Sequence, residues 1–179
     1  MGKMMFKGLD AYLAKMTALE KAADTIVGAV IYDGAEVMAN EIREGLEGLP
    51  VAEHDGRPWW GTPGHLARGP SPEQKKGLID SFGITRIDTD SRGFTNVHIG
   101  FDGYNSVTST QWPKGQPNQM VARAVESGTS FMEANPVFKF RSRTARPKAQ
   151  RAMKKRAEKE FQKDWSKSPM FTGKKSWEK

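Results

Sequence analysis

The side chains able to do acid–base, nucleophilic or metal chemistry in this chain are few and scattered. There are three histidines, His54, His65 and His98, and no cysteine. No histidine lies three or four residues from another and no H-E-x-x-H occurs, so the spacing that closes a metal site on one helix face is missing. The absence of cysteine removes disulfides, thiolate ligands and thiol nucleophiles. Asp88-Thr89-Asp90-Ser91-Arg92-Gly93 begins like a calcium loop, then puts Arg92 and Ile99 where oxygen ligands belong. There is no G-x-S-x-G, Walker A or G-x-G-x-x-G segment, so acyl transfer, nucleotide hydrolysis and dinucleotide binding lack a signature. One short segment invites a chemical reading, Glu126-Ser127-Gly128-Thr129-Ser130. Its amides around Gly128 suit an anion and Glu126 suits a base. The same residues equally describe a tight turn with Gly128 at positive φ and hydroxyls closing it, and we read the turn. No residue is assigned a catalytic, cofactor-binding or metal-binding role.

The elements that position these residues follow from periodicity. Leu9, Leu13, Met16 and Leu19 predict an amphipathic helix over residues 9–20. Asp24 suits the cap of a second helix, striped by Val27, Ile31, Gly34, Met38, Ile42 and Leu46. The N-terminal third is therefore two helices or one long broken one, and we take the helical pair. Gly34 on the stripe costs about 1 kcal/mol against alanine, which predicts a close neighbour there. Gly45, Gly48 and Pro50 end the helix. Residues 50–72 hold five prolines, four glycines and Trp59-Trp60, a long loop. Its paired tryptophans either anchor a partner or lid the core. A short helix is expected over Pro72–Ser81 with Leu78 and Ile79 inward. Ile84–Thr89 and Phe94–Phe101 are rich in β-branched and aromatic residues and flank Asp90-Ser91-Arg92-Gly93, a β-hairpin. Tyr104–Asn118 is a second loop, around Trp112. Met120–Val125 fits a strand or a helix.

Ala149, Met153, Ala157, Phe161 and Trp165 recur every four residues, with Ala145 and Ala152 beside them, which predicts a long C-terminal helix. Pro147 belongs in a first turn, placing the start near Thr144. Residues 166–179 form an extension, flexible or ordered by a partner. Residues 139–179 hold 15 Lys/Arg against four Asp/Glu, a net +11, while the first 138 residues hold 13 against 17, a net −4. Such asymmetry points to a polyanion or an acidic partner surface. The alternative is a helix with one solvated face. No zinc-finger spacing, RNP-type segment or basic zipper is present, so base readout is not expected. The 179 residues suit one domain, with 37% apolar residues enough for a modest core. No run reaches the roughly 18 apolar residues of a membrane span, and MGKMMFKGLD lacks the apolar core of a secretory signal.

The order of these segments resembles the neck, or tail-completion, proteins of long-tailed bacteriophages over roughly residues 6–165. Gly8-Leu9-Asp10 to Leu13 matches the opening short helix, and Val30–Glu44 the long helix with its "A..v...a" stripe. Gly77-Leu78-Ile79-Asp80-Ser81 resembles a "G.L..S" segment, shorter by one residue. Ala122–Ser130 matches "A..vE.GTS", and Ala134-Asn135-Pro136-Val137-Phe138 with the basic helix at 146–163 closes the pattern. Two departures stand out: the Pro-rich insertion with Trp59-Trp60, and the tail beyond Lys163.

The resemblance implies a structural virion protein with no enzymatic activity and no cofactor. It would form a closed ring of about six copies at the head–tail junction. The ring would touch the head-side connector or stopper and the tail terminator or tube protein. Genomic DNA would pass without sequence readout, and no membrane would be involved. Assembly would take place in the host cytoplasm. The implied fold is α+β: an N-terminal helical pair, a small antiparallel sheet and a long basic C-terminal helix packed on it. Candidate subunit or partner contacts are Trp59, Trp60, Trp112, Glu126, Gly128, Thr129, Phe161 and Trp165. Candidate electrostatic contacts are Arg141, Arg143, Lys154, Lys155 and Arg156. A strongly positive lumen would grip DNA, so the basic arm is expected to face an acidic neighbour at least as much as DNA. The alternative function is non-specific nucleic-acid binding by the basic arm. A small enzyme built on Glu126 or the histidines is the third reading.

Overall fold

A computed structural model describes residues 9–52 and 64–167, with side chains from 23 to 52 and from 64 to 160. In chain order come α1 (Leu9–Glu47), α2 (Pro72–Ser81), β1 (Phe82–Ile84), β2 (Asp88–Thr89), β3 (Thr95–Asn96), β4 (Ile99–Phe101), α3 (Asn118–Ser127) and α4 (Val137–Lys167). The class is α+β, as expected. The N-terminal pair is instead one continuous helix of 39 residues. Asp24 is exposed in its interior and starts nothing new. With no proline or helix-breaking glycine between residues 9 and 27, the two stripes join without a break.

The antiparallel partner of α1 is α4, and small residues set their approach. Gly34, Gly45, Ala145 and Ala149 are all buried. A methyl group on Gly34 would stand 2.6 Å from Met153 Cγ and Sδ, which is the close neighbour that Gly34 predicted. One on Gly45 would stand 2.5 Å from Val137 Cγ1. The rest of the core lies on the other side of α1. There Ala39, Ile42 and Leu46 pack with Leu78, Phe82, Val121, Ala122 and Val125.

Local chemistry places the small elements. Ser71 caps α2: its Oγ accepts from Gln74 N–H while Gln74 Oε1 accepts from Ser71 N–H, and Pro72 opens the helix. The strands form one interrupted hairpin. β1 pairs with β4 in the register Phe82↔Phe101 to Ile84↔Ile99, and β2 with β3 as Asp88↔Asn96 and Thr89↔Thr95. Between the ladders Thr85–Ile87 oppose only Val97-His98, the extra residue of a bulge. Met120–Val125 resolves as part of α3.

Asp90 builds the hairpin turn. Its Oδ1 accepts from Phe94 N–H and Arg92 N–H at 2.9 Å each, and the Arg92 guanidinium reaches Oδ2 at 3.1 Å. The Phe94 amide, helped by Arg92, holds this carboxyl below the usual aspartate value of 3.8. A depressed folded-state value means that its contribution is present above the ordinary carboxylate range and is lost as pH falls through the depressed value. NMR titration is expected to place Asp90 below 3.8, with the Phe94 amide resonance moving in the same step. Titration at or above that value would contradict this turn.

Candidate functional site

The most chemically suggestive segment, Glu126–Ser130, is the joint between α3 and α4. Gly128 ends α3 at φ 72°, and a Cβ there would stand 3.0 Å from Ala134 N, so any other residue is both strained and crowded. Thr129 closes the turn: its Oγ1 accepts from Phe131 N–H at 3.2 Å and Met132 N–H at 3.1 Å, and its N–H donates to Met132 O. Asn135 N–H then returns to Val125 O at 2.7 Å.

Glu126 has a specific task in this joint. Its two carboxylate oxygens accept from Phe138 N–H at 2.8 Å and Lys139 N–H at 2.9 Å, the free amides of the first turn of α4. Pro136, just before that turn, has no side-chain oxygen to offer. The first turn has no acid of its own, and Lys139, Arg141 and Arg143 put positive charge at the positive end of the helix dipole. Glu126 supplies the missing anion from eleven residues upstream of Val137. This explains why α4 starts at Val137 rather than near Thr144, with Pro147 inside the helix. Both oxygens are engaged, so the carboxylate is a cap in this geometry rather than a free base. Glu126→Ala is expected to lower stability by about 1–2 kcal/mol, with Glu126→Gln retaining part of it. Thermal denaturation checks this, and an unchanged midpoint for the alanine variant would contradict the cap.

The adjoining helix end, the C-terminus of α1, is closed the same way. α1 has no basic residue in its last turn, and Lys75 Nζ donates to Glu47 O and Leu49 O at 2.7 Å each. A remote cation thus closes the C-terminus of α1 and a remote anion the N-terminus of α4, and these two ends lie side by side.

The basic helix divides into two faces. On the face toward α1, Lys148 pairs with Glu41, and Arg141 lies 4.0 Å from Glu41 and 3.8 Å from Glu44. Arg156 lies 3.7 Å from Asp33 and, by its Nε, 3.1 Å from Glu160, a contact whose angle makes an ion pair but no hydrogen bond. Asp33, Glu41 and Glu44 stand eight and three residues apart on α1, a helical spacing that the sequence contained and our reading missed. On the other face Arg143, Arg146, Arg151, Lys154 and Lys155 are exposed. Lys154 reaches Glu158 at 3.9 Å. None of the other four has a carboxylate within reach among the described residues. The five electrostatic candidates therefore split: Arg141 and Arg156 hold α1, while Arg143, Lys154 and Lys155 face solvent.

The apolar candidates fare differently. Trp112 is half-buried in a tight turn, exchanging backbone hydrogen bonds with Ser109. Trp59 and Trp60, and the side chains of Phe161 and Trp165, lie outside the described residues. An open groove of about 360 Å³ that sequence reasoning did not find runs between the end of α1 and the start of α4, lined by Gly45, Leu49, Pro50, Val137 and Phe140. Phe140 is 67% exposed at its edge. Among the described residues no cluster of three His, Asp or Glu side chains could hold a metal ion, and no helix is long and apolar enough to cross a membrane.

No family model, curated protein or solved structure matches the chain.

Proposed function

We propose that this chain is a neck protein of a long-tailed bacteriophage, a structural subunit whose ring joins the tail to the DNA-filled head. The observation that carries the reading is the order of segments over roughly residues 6–165, and within it Glu126–Ser130. Its physical role, the capped joint from which the basic helix extends, depends on residue types at fixed positions: a carboxylate, a glycine at positive φ and a hydroxyl. A ring also needs two different faces on each copy. The groove beside Phe140 and the polar hairpin tip, where Phe94 is 62% exposed with the Arg92 guanidinium over its ring, are two separate surfaces suited to that. Nothing in the proposal requires catalysis.

The reading is tested by removing the chain from an infection. Filled heads and finished tails are expected to accumulate unjoined, and purified protein added to that lysate is expected to join them. Normal joined particles without the chain would overturn the proposal.

A further inference from the structure

We propose that the outward face of α4 binds the phosphate backbone of duplex DNA. The argument rests on how α4 distributes its charge, and it stands whether or not the chain forms a neck ring.

The helix contributes cations to two different environments. Those facing α1 are matched by Asp33, Glu41 and Glu44, so the fold already accounts for them. Arg143, Arg146, Arg151 and Lys155 have no carboxylate within reach among the described residues and Lys154 has only the exposed Glu158 at 3.9 Å, and like charges held along one rigid rod repel each other unless a partner neutralises them. From residue 143 to residue 155 a helix rises about 18 Å, a length over which one DNA strand presents about five phosphates.

The composition of this face selects among polyanions. Protein interfaces are built around buried aromatic or aliphatic anchors and are depleted in lysine. Between Arg143 and Lys155 the exposed positions of α4 are Thr144, Pro147, Gln150 and cations, with no large apolar side chain among them. An acidic protein surface would therefore find charge along this stretch, with the exposed Phe140 one turn before it as the nearest apolar side chain. Single-stranded nucleic acid needs aromatic platforms for its bases, and this stretch has none. Duplex DNA asks only for correctly spaced positive charge. Contacts of this kind set position and affinity without reading sequence, which agrees with the absence of any base-reading module.

The test is binding of the full chain to a fluorescent random-sequence 30-base-pair duplex across 50–200 mM salt. With about four phosphates neutralised, log K is expected to fall against log salt with a slope of about −3.6, roughly a 150-fold loss across that range. Combining R143Q, R151Q, K154Q and K155Q is expected to flatten the slope by about 3. These positions are exposed, so circular dichroism and the melting midpoint should match the parent. A second variant, K163Q with K167Q, K174Q, K175Q and K179Q, controls for the tail and is expected to keep most of the slope. Three outcomes would overturn the proposal: parent-like binding by the α4 variant, loss of the slope in the tail variant alone, and equal or tighter binding to single-stranded DNA or to polyglutamate of matched charge.

Discussion

Gly69→Ala will cost about 3 kcal/mol or more, at or above the upper end of overpacking effects. The reason is backbone against backbone. A Cβ on Gly69 would stand 1.9 Å from Pro50 O and 2.8 Å from Pro50 C. Neither chain can step aside. Ala52 N–H donates to Pro70 O at 3.0 Å on one flank. On the other, Ala67 N–H donates to Phe131 O at 2.8 Å, Glu133 N–H to Ala67 O at 2.9 Å, and Asn135 Nδ2 to Arg68 O at 2.8 Å. This crossing ties the end of α1 to the segment that leads into α4, so the clash separates the two long helices where their ends are capped. Gly83→Ala is the control, because a Cβ there meets nothing within 4 Å. Chemical denaturation should find the control within about 0.5 kcal/mol of the parent. Equal stability of the two variants would contradict the crossing.

Leu46→Ala is the second large effect. Leu46 is fully buried in the core where α1 meets Leu78 and Val125, which are also fully buried. Deleting such a side chain removes its burial energy and leaves a cavity, together about 2–5 kcal/mol. For a chain of this size that corresponds to a melting point lower by roughly 10 °C. A shift under about 2 °C would mean that α1 does not pack on α2 and α3 as described.

Features set by neighbours in sequence were legible. The short helix at Pro72, the hairpin around Asp90 and the close approach at Gly34 each depend on side chains a few residues apart, or on a residue type with one strong conformational consequence. What escaped depends on distant partners. The start of α4 is fixed by Glu126, so Pro147 gave a misleading local signal. Asp24 looked like a cap because its residue type suits one, although no proline or glycine between residues 9 and 27 interrupts the single helix that carries both apolar stripes. The bulge opposite Val97-His98 is a property of paired strands, invisible in either strand alone. For the site, the basic character of α4 was plain, but its division into a matched and an unmatched face required the acids of α1.

The capping residues and the charge division describe one design. α1 and α4 lie antiparallel, small residues bring them close, Lys75 and Glu126 close their adjoining ends, and the inner cations of α4 are neutralised across the seam. The unmatched cations are presented outward on a rigid support. A ring subunit beside passing DNA and a backbone-binding protein would both use such a support, so location decides between them.

The most direct measurement of the central claim is to label the chain by antibody on purified phage particles and count its copies per particle. The neck reading predicts label at the head–tail junction and a single small ring, about six copies or a low multiple of that number. Particles that lack the chain, with the protein recovered instead on nucleic acid in the lysate, would contradict it.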